Sequence, residues 1–189
     1  LKLIDFETVN FSNDTVTPAK SNFAGSVHFG RSGSETLTGD AGSDLFDPAG
    51  GNDNINGGDG SDTVVFFASE DDFDIRSLEG ITKFTSNSTT NEYRYSAITT
   101  VSVETAEFVN SSLNLSVASA NGYYLGSDYS DSFNGTSENE VFDVGGGQNY
   151  VNGGAGQDAV VIFDDSSNYI ITNLGAFVSI EALETSITP

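Results

Sequence analysis

Residues 30–65 read GRSGSETLT GDAGSDLFD PAGGNDNIN GGDGSDTVV, and in this nine-residue spacing three positions stay in phase. The fourth is Gly33, Gly42, Gly51 and Gly60. The sixth is acidic: Glu35, Asp44, Asp53 and Asp62. The eighth is large and apolar: Leu37, Phe46, Ile55 and Val64. Gly/Asn/Asp-rich stretches also make ordinary turns, but a loop does not hold three positions in phase across consecutive repeats. Glycine tolerates positive φ and close backbone approach, so each unit reads as a turn of six residues followed by a strand of three. Two units make one coil, and coils stack as a parallel solenoid. Position-eight side chains then point inward between two sheets. Position-six carboxylates stack along the turns, two repeats apart.

A second array starts at Gly126: GSDYSDSFN GTSENEVFD VGGGQNYVN GGAGQDAVV. Its eighth position is Phe133, Phe142, Val151 and Val160, and its sixth is Asp131, Glu140, Asn149 and Asp158. Its fourth is Tyr129, Glu138, Gly147 and Gly156. Asn149 therefore offers a neutral oxygen where the other repeats offer a carboxylate, and two turns lack glycine.

Lys and Arg number 6 against 28 Asp and Glu, so the formal charge is 6 − 28 = −22. Such self-repulsion opposes a compact state unless cations neutralise it. Nucleic acid is excluded as a partner for want of a basic patch. The 14 Phe and 7 Tyr argue against permanent disorder, so the expectation is a chain disordered without a ligand and ordered with it. There is no Cys to staple the fold, which leaves metal as the obvious staple. Membrane insertion is not expected, because no apolar run reaches spanning length. The chain opens on Leu1 rather than Met and reads as a fragment or a processed product.

The nonapeptides resemble the RTX (repeats-in-toxin) family, whose pattern is G-G-x-G-x-D-x-U-x with U a large apolar residue. The resemblance implies an all-β fold, a parallel β-roll made of two short calcium-loaded arrays with additional capping strands. It implies Ca2+ as cofactor, several ions, each held between repeat n and repeat n+2. One set is Glu35 and Asp53 with the carbonyls of Arg31, Gly33, Pro48 and Gly50. A second is Asp44 and Asp62 with the carbonyls of Asp40, Gly42, Gly57 and Asp59. In the second array the pairs are Asp131 with Asn149, and Glu140 with Asp158, the latter with Thr136, Glu138, Gly153 and Ala155. The resemblance also implies type I secretion of an unfolded chain and an extracellular or cell-surface location.

The arrays belong to a larger duplication. Asp62 and Asp158 lie 96 residues apart, and Glu7 and Glu104 lie 97 apart, in LIDFETVNF and VSVETAEFV; VSIEALETS around Glu181 is a third copy. The expected organisation is a tail strand of a preceding module over 1–18, a first module over 19–118 and a second over 119–189. The first carries an insertion near Gly80–Thr100. Alternating residues such as Phe73, Ile75, Ile81, Phe84, Tyr93 and Tyr95 are expected in strands.

Catalysis finds no support. His28 is the one histidine; no Ser/His/Asp arrangement has sequence support around it, and no zinc site can be built from one His and no Cys. The acidic cluster Glu70, Asp71, Asp72 and Asp74 includes Asp71, which follows Asp53 by 18 residues and could end the ion ladder. Three readings follow. The first is a non-enzymatic structural module of a surface layer, filament or adhesin, whose partners are calcium, neighbouring modules or copies of itself. The second is the C-terminal secretion and folding segment of an enzyme or toxin. The third is a carbohydrate-binding module with an aromatic platform near Tyr93 and Tyr95, in contact with cell-surface carbohydrate.

Overall fold

This computed structural model describes residues 25–115, 122–175 and 177–183, with the paired strand backbone of Val9–Asn10 and Thr15–Val16. Glu7 and most of the 1–18 tail lie outside the described residues. Among the described residues the protein is all-β apart from two short 3-10 turns, Glu70–Asp72 and Ser166–Asn168.

The nine-residue period becomes geometry in the first roll. Val27–Phe29, Leu45–Asp47 and Thr63–Val65 stack in parallel on one side, with Thr36–Thr38 and Asn52–Asn56 on the other. Registers such as Leu37↔Ile55 and Phe46↔Val64 pair residues 18 apart, so one coil is two repeats. Three residues separate consecutive six-residue turns, so the strands are short, and the middle one of the three faces inward. Phe46, Ile55 and Val64 are accordingly fully buried, with Leu37 packed against them.

The roll is then closed by chain that is not repetitive. Ala97–Val101 adds in parallel beside Asn52–Asn56, and the hairpin Phe73–Leu78/Ile81–Ser86 extends that sheet antiparallel. Thr105–Glu107 adds in parallel to Thr63–Val65, and Ser112–Asn114 ends that sheet antiparallel. The expected insertion thus enters the core. Phe66 stands 4.8 Å from the rings of both Phe73 and Phe84, 5.5 Å from Tyr93 and 5.1 Å from Phe108. Burial of such aromatics dominates core energetics. Tyr93 and Tyr95 are not in a strand, as the alternation suggested. They lie in a turn that Asn91 nucleates by accepting the Tyr93 N–H on its side-chain oxygen at 3.0 Å. Tyr93 is fully buried and its hydroxyl accepts the Phe67 N–H, while Tyr95 is exposed. The two therefore cannot form one sugar platform.

In the second roll Gly122–Leu125, Glu140–Asp143 and Ala159–Val161 stack in parallel opposite Ser132–Asn134 and Tyr150–Asn152. Phe142 is its buried centre, stacked on Tyr124 at 4.8 Å. The hairpin Tyr169–Asn173/Val178–Ala182 follows. The two ends differ in closure. Val64 is fully buried beneath Thr105–Glu107, whereas its counterpart Val160 is 46% exposed, with no such strand laid over it among the described residues.

The two rolls meet sheet face to sheet face. Ile81 and Val101, on the outer side of the first roll's extended sheet, are buried with Val141 and Val161 of the second. Tyr123, Leu125, Ala159 and Phe163 border this cluster. Arg76 donates to the Phe163 carbonyl at 3.3 Å, and the Lys83 ammonium lies 5.9 Å from the Phe163 ring.

Candidate metal centres

The turns stack in pairs, a lower one at 30–35, 39–44, 126–131 or 135–140 and an upper one 18 residues later. One hydrogen bond recurs in each pair: the position-six side chain of the upper turn accepts the backbone N–H of position six below. Asp53 accepts from Glu35 at 2.8 Å, Asp62 from Asp44 at 2.7 Å, Asn149 from Asp131 at 2.8 Å and Asp158 from Glu140 at 3.1 Å. The ladder continues beyond the repeats. Glu104 takes the next rung and accepts the Asp62 N–H at 2.6 Å, and at the other end the Ser26 N–H bonds Asp44 at 3.1 Å. The repetition of an apolar-Glu pair was the sequence signal for Glu104; Ser26 carried none.

Upper and lower turns differ in backbone. Upper turns hold positive φ at positions two and four: Ala49 and Gly51, Gly58 and Gly60, Gly145 and Gly147, Gly154 and Gly156. Lower turns have no positive φ. A Cβ on Gly51, Gly60 or Gly156 would also run into the carbonyl oxygen of Gly33, Gly42 or Glu138 below it. Glycine at position four is thus a requirement of the upper turns. That is why Tyr129 and Glu138 are accommodated: both belong to lower turns.

The residues expected around each ion are brought together. The carbonyls of Arg31, Asp40 and Thr136 accept the N–H of Gly50 (3.3 Å), Asp59 (3.1 Å) and Ala155 (2.9 Å) from the turn above. The carbonyls of Gly33, Gly42 and Glu138 lie under the position-four glycines. Those of Pro48, Gly57 and Gly153 lie against Gly30, Gly39 and Gly135. In lower turns the acid folds back on its own turn, since Glu35, Asp44, Asp131 and Glu140 accept the N–H of Arg31, Asp40, Ser127 and Thr136.

In upper turns position two is rotated away. The Ala49 and Gly58 N–H groups go instead to the side chains of Asp47 and Asn56, at 3.1 and 3.2 Å. Asp53 and Asp62, both fully buried, are left with one carboxylate oxygen each, Oδ2, that has no hydrogen-bond partner in the protein. Burying such an atom unmatched is costly. It also shifts ionisation: burial pushes the Asp53 carboxyl up to about 6, against the Glu35 N–H bond, with the Glu35 charge adding. Asp62 is raised by burial, against the Asp44 N–H bond, with the charges of Glu104, Asp44 and Asp40 adding. Asp44 is held low, first by the Asp40 N–H against burial, then by the Ser26 N–H and His28. Glu140 is held low by the Thr136 hydroxyl and N–H.

Two carboxylates with several carbonyls and an orphaned anionic oxygen suit a hard divalent cation, which takes six to eight oxygen ligands. A bound Ca2+ supplies the positive charge that stacked carboxylates and carbonyl oxygens lack. The other acidic candidate does not join the ladder. Asp71 is exposed in the 3-10 turn that Ser69 caps, and Asp72 and Glu70 are engaged with Asn91 and Ser111. His28 is a packing residue, stacked on Phe46 at 4.7 Å with its Nε2 3.5 Å from Asp44.

Coils of two nine-residue repeats, two facing parallel sheets and acid-lined turns define a parallel β-roll of the calcium-binding kind. Residues 29–64 and 125–160 are RTX calcium-binding nonapeptide repeats, matched over both stretches by the model of that family. No curated protein matches the chain. Among solved structures, the extracellular lipase LipA from Serratia marcescens is similar at 12% identity and a TM-score of 0.26. The match covers 76% of this chain and 30% of the lipase, so the chain spans less than a third of that protein's length.

Proposed function

We propose that this chain is a calcium-binding structural module of a secreted cell-surface protein, such as a surface layer, filament or adhesin, and that it folds on meeting extracellular calcium. The observation that carries this is the pair of buried, unpartnered carboxylate oxygens of Asp53 and Asp62 inside stacked turns. Without a cation those turns bury charge against carbonyl oxygens; with one they are satisfied. Binding free energy then becomes folding free energy. Extracellular modules of this chemistry bind calcium with Kd of about 10⁻⁴–10⁻³ M, so an exported chain folds where calcium is abundant. The face-to-face packing of the two modules supports a load-bearing, repeating role over the reading as an enzyme's secretion segment. Circular dichroism in excess EGTA should show a largely unordered chain, and millimolar calcium should restore the β signal. A chain that stays fully folded in chelator contradicts the mechanism.

A further inference from the structure

Asn149 occupies position six of an upper turn, as Asp53 and Asp62 do. All three spend one side-chain oxygen, Oδ1, on the N–H of the turn below, at 2.7–2.8 Å. Each is left with a second terminal atom. In Asp53 and Asp62 it is Oδ2, buried and without a partner. In Asn149 it is Nδ2, which donates to the Val144 carbonyl at 2.9 Å and the Gly146 carbonyl at 2.8 Å. Val144 and Gly146 are positions one and three of that turn, the counterparts of Pro48 and Gly50 and of Gly57 and Asp59. The orientation of the amide is fixed from both sides. The Asp131 N–H needs an acceptor, and the two carbonyls need a donor.

We propose that the Asn149 amide is a built-in substitute for calcium. It holds the turn pair 126–131/144–149 together without an ion, while the other three pairs depend on one. The NH₂ group gives the carbonyls of positions one and three a hydrogen-bond donor where the other turns need a cation. The amide also removes one negative charge from the stack. The ladder thus has one rung that forms before calcium arrives. It sits in the second roll, where it fixes the register of Ser132–Asn134 on Tyr150–Asn152, and costly nucleation of the coil can start there.

The inference rests on the calcium reading of the acidic turns, and native mass spectrometry of the full chain at saturating calcium separates the two. Wild type is expected to carry one ion for each turn pair except this one. Asn149→Asp restores the acceptor-against-acceptor arrangement of Asp53 and should carry one ion more than wild type. Asn149→Ala should lose none. Asp53→Asn, the converse change, should carry one fewer. If wild type binds calcium but Asn149→Asp gains no ion, or Asn149→Ala loses one, the substitution idea is wrong and the calcium reading stands. If wild type binds no calcium, the calcium reading itself fails and takes this inference with it. A second readout does not depend on counting ions. In excess EGTA the Asp131 amide should retain hydrogen-exchange protection at least tenfold above that of the Glu35 and Asp44 amides; equal loss at all three overturns the proposal.

Discussion

Asp53 and Gly60 show how much of this protein is decided by single atoms. One Asp53 oxygen closes a ladder bond to Glu35 and the other is left for an ion. Gly60 stands at φ 137° above the Gly42 carbonyl, whereas Gly42 itself has ordinary φ and a Cβ there would meet only the Asp40 carboxylate at 3.2 Å. The nonapeptide pattern makes these two glycines look equivalent, and the backbone separates them. Gly60→Ala should therefore destabilise the calcium-loaded protein by about 1–3 kcal/mol or more, the range for backbone forced into a sparsely populated region. Gly42→Ala should cost under ~1 kcal/mol, since it meets only a side-chain oxygen that can shift. Urea unfolding at saturating calcium measures both, and equal losses would contradict the division into upper and lower turns.

At the scale of elements, the strand Thr105–Glu107 ends the first roll because Glu104 reaches the rung that a further repeat would have supplied. Ser102 makes the shortened turn possible with φ 50°, and its carbonyl lies against Gly57 as Gly57's own lies against Gly39. Glu104→Ala removes the acceptor of the Asp62 N–H, and an unsatisfied buried donor costs about 1–3 kcal/mol. Glu104→Gln keeps an acceptor and should cost less than half as much, which thermal melts in calcium can compare. Much of this was legible in the sequence. Positions six and eight placed the acids on turns and Leu37, Phe46, Ile55 and Val64 inside, because a strict period leaves a short strand no other choice. The role of Glu104 was not legible. Its recurrence with Glu7 and Glu181 is visible in the sequence, but its contact is made over a separation of 42 residues that no local pattern encodes. The fate of Gly80–Thr100 was hidden for the same reason. Alternation identifies the hairpin, yet whether Phe84 and Tyr93 pack inward depends on Phe66 and Phe108 meeting them from elsewhere in the chain.

On the scale of the whole molecule, two rolls are joined through faces that a single roll would expose. Val141 and Val161 lie at positions seven and nine of their repeats and point away from Phe142, yet both are buried because Ile81 and Val101 cover them. This coupling is separable from the ion ladder, since the contact surface is the outside of a sheet and the acids are on its turns. Each valine contributes on the order of 1.5–3 kcal/mol by burial, and a carboxylate placed there opposes the contact further. The double change Val141→Asp with Val161→Asp should therefore leave calcium stoichiometry unchanged while uncoupling the modules. Calorimetry at saturating calcium should resolve one unfolding transition into two, and small-angle scattering should show a larger radius of gyration. A single transition at an unchanged radius would mean that the modules are held together by something other than this apolar seam.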